Sequence, residues 1–192
     1  MSAYLRRAGA GLLADGSQLV WSVADGRRGR RWRAVASSNG AITHALLLEV
    51  DTAGRPSRFE LTTPAGMLTL HPDEAGRTLH GNVVTPSGVH HLSLPWSDLH
   101  GLEVDGRPIA GAVTAHRLAG ATAVGEGRAV PVVAITTDLA LSETTRDYVR
   151  VGEGEWRIEE APGDGAGTIL RVDSRGIPTG LRDAREWPLE LD

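Results

Sequence analysis

The sequence contains no cysteine. That single absence excludes disulfides, thiolate metal sites and thiol catalysis, and it fits a cytoplasmic location. Lysine is absent too, because all 20 cationic residues are arginine. A lysine Schiff base and a phosphate-loop lysine are therefore excluded. The arginine bias, with abundant alanine and glycine, matches GC-rich bacterial coding. No stretch approaches the roughly 20 apolar residues that span a bilayer, so no transmembrane segment is expected. An export signal is not expected either. Arg6-Arg7 precedes Ala8 to Ala14, but that stretch is short, contains Gly9 and Gly11, and is broken by Asp15-Gly16. The chain also lacks a GxSxG elbow, a dinucleotide fingerprint, a phosphate loop and an HExxH pair.

What is present reads as one β-rich domain over residues 1–192. Hydrophobic residues make up 41% of the chain and charged residues 23%, values of an ordinary globular protein. The net charge of −4 argues against general polyanion binding, and no specific nucleic-acid binding is expected. From Ser17 to Leu94 the chain reads as a meander. Leu19, Trp21 and Val23 alternate before the Asp25-Gly26 turn. Strands follow over Arg31 to Ala36, Ala41 to Val50, Ser57 to Thr63, Met67 to His71, Arg77 to Val84 and Val89 to Leu94. Turn signals recur about every ten residues, the spacing of an all-β sheet, sandwich or barrel.

The pattern changes after Trp96. Pro108 to Leu118 reads as a helix, with proline suited to its first turn and Gly120 to its end. A second helix is expected near Ala3 to Leu13. Strands then resume as a long run over Ala129 to Leu141, with Pro131 marking an edge or bulge. Hairpins follow around Gly152-Glu153-Gly154 and Ser174-Arg175-Gly176, and a loop over Glu160 to Gly167. The expected fold class is mainly β: a large curved antiparallel sheet or half-barrel with one or two short helices. So large a twisted sheet curls, and a helix against its concave face can leave an apolar cavity.

Three groups of residues could carry function. If the Pro86 hairpin centres between Pro86 and Ser87, Asn82 pairs with His91 and His80 with Ser93, which places His80 and His91 on one face. Two imidazoles so placed can exchange protons near neutral pH, or they can simply be the solvated side of a hairpin. No carboxylate partner supports a metal there. Arg27-Arg28-Gly29-Arg30-Arg31-Trp32-Arg33 could hold a small anion through Arg31 with Trp32 alongside, or be a solvated turn whose stems cover the sheet. The five tryptophans outnumber the single Phe59 and suit either core packing or an amphiphile's cavity.

The meander with Trp21 and Trp32, the run from Leu46 to His71, the segment LHGNVVTPSGVHHLSLPW (Leu79 to Trp96) and VDSRGIPTGL (Val172 to Leu181) resemble a family of bacterial proteins named for glycolipid binding. Their fold is like that of periplasmic lipoprotein carriers. The resemblance lies in length and strand rhythm over most of the chain. It implies a half-barrel with a helical lid and an apolar cavity, and it transfers no site residue. The export signal such a carrier needs is not evident here. Together these readings favour non-catalytic binding of a lipid, glycolipid or other amphiphile, without a cofactor. Phe59, Met67 and Trp96 would contact its tail, and Arg31 or His80 and His91 its head. Two alternatives remain: a cofactor-free enzyme using His80 or His91, and a module that forms homo-oligomers through strand edges.

Overall fold

A computed structural model of the chain describes residues 5–13, 15–160, 167–181 and 189–190. Most of the loop expected over Glu160 to Gly167, and Trp187, lie outside them. The fold is mainly β, as the strand rhythm implies. Eight strands form an antiparallel meander in which sequence order equals spatial order: β1 (Arg6–Leu12), β2 (Gln18–Gly26), β3 (Gly29–Ser38), β4 (Ala41–Val50), β5 (Pro56–Thr63), β6 (Gly66–Pro72), β7 (Thr78–Thr85) and β8 (Gly88–Pro95). Near the C-terminus, Leu189–Glu190 adds a ninth strand beside β1. Alternation in sequence drives burial here. In β2, Leu19, Trp21 and Val23 are buried while Gln18, Val20 and Ser22 are exposed, as a sheet with one covered face requires.

The second sheet is a curled half-barrel of six strands. It contains β9 (Gly101–Val104), β10 (Gly127–Ile135), β11 (Leu141–Gly152), β12 (Glu155–Glu160), β13 (Thr168–Val172) and β14 (Pro178–Leu181). Helix α1 (Pro108–Leu118) connects β9 to β10, with Pro108 in its first turn. Those two strands are parallel, which corrects the expectation of purely antiparallel pairing. Parallel neighbours need a crossover, and α1 supplies it.

The helix lies between the two sheets. Ile109, Ala110 and Val113 join the apolar core of the meander. Ala112 and Ala115 pack with Val130, Tyr148, Trp156 and Leu170 of the half-barrel. Every residue from Pro108 to Ala115 is buried, as the interior part of a helix between two sheets must be, and the basic side chains, His116 and Arg117, come only in the last turn. Its alanines keep it thin enough to fit between two sheets.

Two further expectations are corrected. The segment expected as an N-terminal helix is strand β1 over Arg6–Leu12. Gly9 and Gly11 are poor helix formers, and Gly9 stands opposite Trp21 in the ladder. The run expected as one strand over Ala129 to Leu141 is split after Ile135. Thr136 N donates to Ala140 O (3.0 Å) and Leu139 N to Thr136 O (3.0 Å), closing a turn. Thr136-Thr137-Asp138 was the polar signal of that turn inside an apolar run. Pro131 pairs with Thr145 on one side only, because β9 pairing begins at Val132. Its missing N–H therefore costs no ladder bond.

Candidate functional site

Because α1 fills the space between the sheets, two cavities lie at its ends, and a third, of about 250 Å³, lies on the outer face of the meander beside Ser22, Arg31 and Arg33. The largest, about 700 Å³, opens at the C-terminal end of α1. Its floor is Val50 and Val113. Its walls come from the β2–β3 turn, the β4–β5 turn and the turn before β14, where Gly26, Gly29, Gly54 and Gly176 keep the opening wide. Gly176 has φ +76°, and a Cβ there would lie 2.6 Å from Cγ of His116, so the imidazole rests directly on that glycine. Only glycine suits both the backbone and the contact.

The rim of this cavity is charged and tied down. Arg30 Nε donates to Asp25 Oδ1 (2.6 Å), and Arg30 also donates to the carbonyl of Arg175, which clips the β2–β3 turn to the half-barrel. Asp51 accepts from the backbone N–H groups of Ala53 (2.8 Å) and Arg55 (2.9 Å). Burial holds His116 below the ordinary imidazole value, Arg30 adds to that, and Asp173 and Asp25 oppose it. At neutral pH His116 is thus a neutral ring that can donate or accept.

The second cavity, about 430 Å³, lies at the N-terminal end of α1. Arg146 Nε donates to Glu103 Oε2 on its wall (2.7 Å), and Arg157 pairs with Glu159. Tyr148 is fully buried beside it. Burial, helped by Glu103, pushes the phenol up, so it stays protonated. The Thr114 hydroxyl faces it, yet is committed to Ala110 O (3.3 Å), and no well-formed bond reaches Tyr148 Oη. A buried hydroxyl without a partner is costly. Tyr148→Phe is expected to raise the unfolding free energy by about 1 kcal/mol in urea titration. A loss of that size would mean instead that the hydroxyl anchors water or a ligand in the cavity.

The residues singled out from sequence do not converge. Trp32 and Phe59 are fully buried in the meander core, and Trp96 is buried and stacked on His100 (4.9 Å between ring centroids). Arg31, Met67, His80 and His91 are exposed on the opposite, outer face. The hairpin register is as expected, with Asn82 opposite His91 and His80 opposite Ser93. His91 Nδ1 donates to Asn82 Oδ1 (2.5 Å). The nearer imidazole to His80 is His71 across β6–β7 (6.3 Å between centroids). Arg31 pairs with Glu49. None of these seven residues lines either cavity at the ends of α1. Among the described residues, no group of three His, Asp or Glu side chains could hold a metal, and no helix is long and apolar enough to cross a membrane.

Sequence reasoning missed the cavity residues because most lie in turns and carry no motif. One signal was available. In a meander, alternate turns fall at the same end, so Gly26, Gly29 and Gly54 had to gather there.

No family profile matches the chain, and no curated protein is significantly similar to it. A crystal structure of a DUF1089 family protein from Pseudomonas aeruginosa is similar over 97% of this chain and 93% of that one, with TM-score 0.57 and 17% sequence identity. At that identity the likeness is one of fold alone.

Proposed function

We propose that the protein binds a lipid, glycolipid or other amphiphile without catalysis, in the cavity at the C-terminal end of α1. The observation that carries this reading is a volume of about 700 Å³ with an apolar floor of Val50 and Val113 beneath a rim of Asp25, Arg30 and His116. Small-molecule sites have this size, and the rim, which also carries Asp51 and Arg117, offers a polar head several charged partners. The apolar part of the ligand rests on the floor, and its head meets the rim. Since α1 occupies the centre, the cavity suits a short chain or the end of a long one. The outward placement of His80 and His91 deprives an acid–base mechanism at those residues of a pocket.

Native mass spectrometry of the purified protein, followed by denaturing extraction, tests the reading. A bound amphiphile near one-to-one stoichiometry is expected. Ala53 is exposed at the cavity mouth, so Ala53→Trp should plug the opening without disturbing the core and lower occupancy about tenfold or more. His91→Ala should leave occupancy unchanged. A parent protein that carries nothing and takes up no added amphiphile would defeat the proposal.

A further inference from the structure

The outer face of the meander carries an apolar row that its inner packing does not require. Val20 stands opposite Val35, and Val35 opposite Ala45. Thr62 follows Ala45, and Met67 follows Thr62. Val84 follows Met67, and Val89 follows Val84. One level thus crosses seven strands with six apolar side chains. Val20, Val35, Met67, Val84 and Val89 are each at least 36% exposed, and Ile42, nearer the strand ends, is 64% exposed. Directly opposed side chains on neighbouring strands touch, so the row is a continuous band.

Three of the four turns beside the band carry no ionised group, and the fourth, between β1 and β2, holds Asp15 paired with Arg107 (3.1 Å). Residues 35–45, 62–67 and 84–89 contain no Asp, Glu or Arg, and their one imidazole, His44, is buried on the inner face. Charge begins one level further from those turns, where Arg33 stands between Ser22 and Leu47 and Glu60 stands on the other side of Leu47. Arg31 and Arg58 occupy the level beyond it, opposite Glu49. On the outward positions of β1–β8 the charged residues are Arg6, Arg31, Arg33 and Arg58 against Glu49 and Glu60, a balance of +2 on a chain of net charge −4. Arg33 has no carboxylate partner among the described residues.

We infer that this end of the meander docks on an anionic lipid bilayer. Successive levels on one face are about 7 Å apart. Interfacial insertion buries apolar side chains about 5–10 Å into the headgroup–acyl boundary. With these turns and the apolar band at that depth, Arg33 and Glu60 lie level with the lipid phosphates and Arg31 and Arg58 just outside them. The positive balance of this face against the negative protein orients the approach. The docking end is opposite the end that holds the 700 Å³ cavity, because the β2–β3 and β4–β5 turns lie away from the β3–β4, β5–β6 and β7–β8 turns. The inference stands without any ligand in that cavity.

Vesicle co-sedimentation tests it with the full chain. Vesicles of equal phosphatidylglycerol and phosphatidylcholine should bind the protein, and pure phosphatidylcholine vesicles should bind it about tenfold more weakly or less. Met67→Glu with Val84→Glu should weaken binding to the mixed vesicles about tenfold or more. Arg33→Glu should weaken it on the order of 25-fold. All three positions are exposed, and an unchanged circular-dichroism melt confirms that each variant is folded. Ala53→Trp should bind vesicles like the parent, which separates this surface from the cavity. Failure to bind either vesicle overturns the inference, as does binding that the glutamate pair leaves unchanged. A monomer–dimer equilibrium that the same pair abolishes would also overturn it, by assigning the band to a second copy of the chain.

Discussion

Trp32→Ala is expected to lower the unfolding free energy by about 4 kcal/mol, the cost of emptying a large aromatic site in a packed core. Trp32 has no exposed surface. It stands opposite Val23 on β2 and Leu48 on β4, and its ring centroid is 5.9 Å from that of Trp21 at 41°. A hole of that size cannot close, because the walls are strands held by ladders on both sides. Among the described residues the indole Nε1 of Trp32 has no hydrogen-bond partner, so the loss is one of packing. Trp32→Phe should accordingly recover more than half of it. Urea titration followed by far-ultraviolet circular dichroism reads both variants. A cost below about 1 kcal/mol for Trp32→Ala would show that the side chain contributes little to the core and would return it to consideration as a ligand contact.

That variant also marks where sequence reading stops. Trp32 was a candidate both for the core and for a ligand, and periodicity cannot separate the two, because an inward side chain may face packing or a void. The inward direction itself was legible. Trp32, Phe59 and Leu61 alternate with polar neighbours and are all buried. The helix over Pro108–Leu118 was legible from its proline and its following glycine. Strand β9 was not, since four residues carry little periodicity, and its parallel partner is set by α1 crossing between the sheets. The two ends of the meander were latent in the turn sequences. One set of turns holds Asp25, Arg27, Arg28 and Asp51 around the large cavity. The other holds Asp15-Gly16, Asn39-Gly40, Pro64-Ala65 and Pro86-Ser87 beside the apolar band. Seeing the band required knowing the register of seven strands at once, because each strand contributes only one member to it.

Stability should fall as pH drops from about 6.5 to about 4, and His44 should be the main cause. His44 lies on β4 with 2% of its surface exposed, and its Nδ1 has no partner. Burial, with Arg107 adding to it and Asp15, which accepts from Arg107 (3.1 Å), opposing, lowers its pKa from 6.5 to about 4. Between those two values the unfolded chain binds a proton that the folded chain refuses. Acid therefore favours unfolding throughout that window. The stability is full above about pH 6.5, and the loss is complete below about pH 4. The difference corresponds to about 3 kcal/mol. His100 and His116 are also lowered by burial and add to the slope with the same sign. Asp15, Asp51 and Asp173 are lowered from 3.8, so what they contribute is retained through this window and lost only at lower pH. His44→Leu removes the titrating group while keeping the site filled, and no hydrogen bond at Nδ1 is lost. Urea titrations at neutral pH and near pH 4.5 should therefore show the parent losing about 2 kcal/mol more than the variant. Parallel losses in the two proteins would mean that His44 takes up its proton without unfolding the sheet, and that the acid sensitivity belongs to His100 and His116 instead.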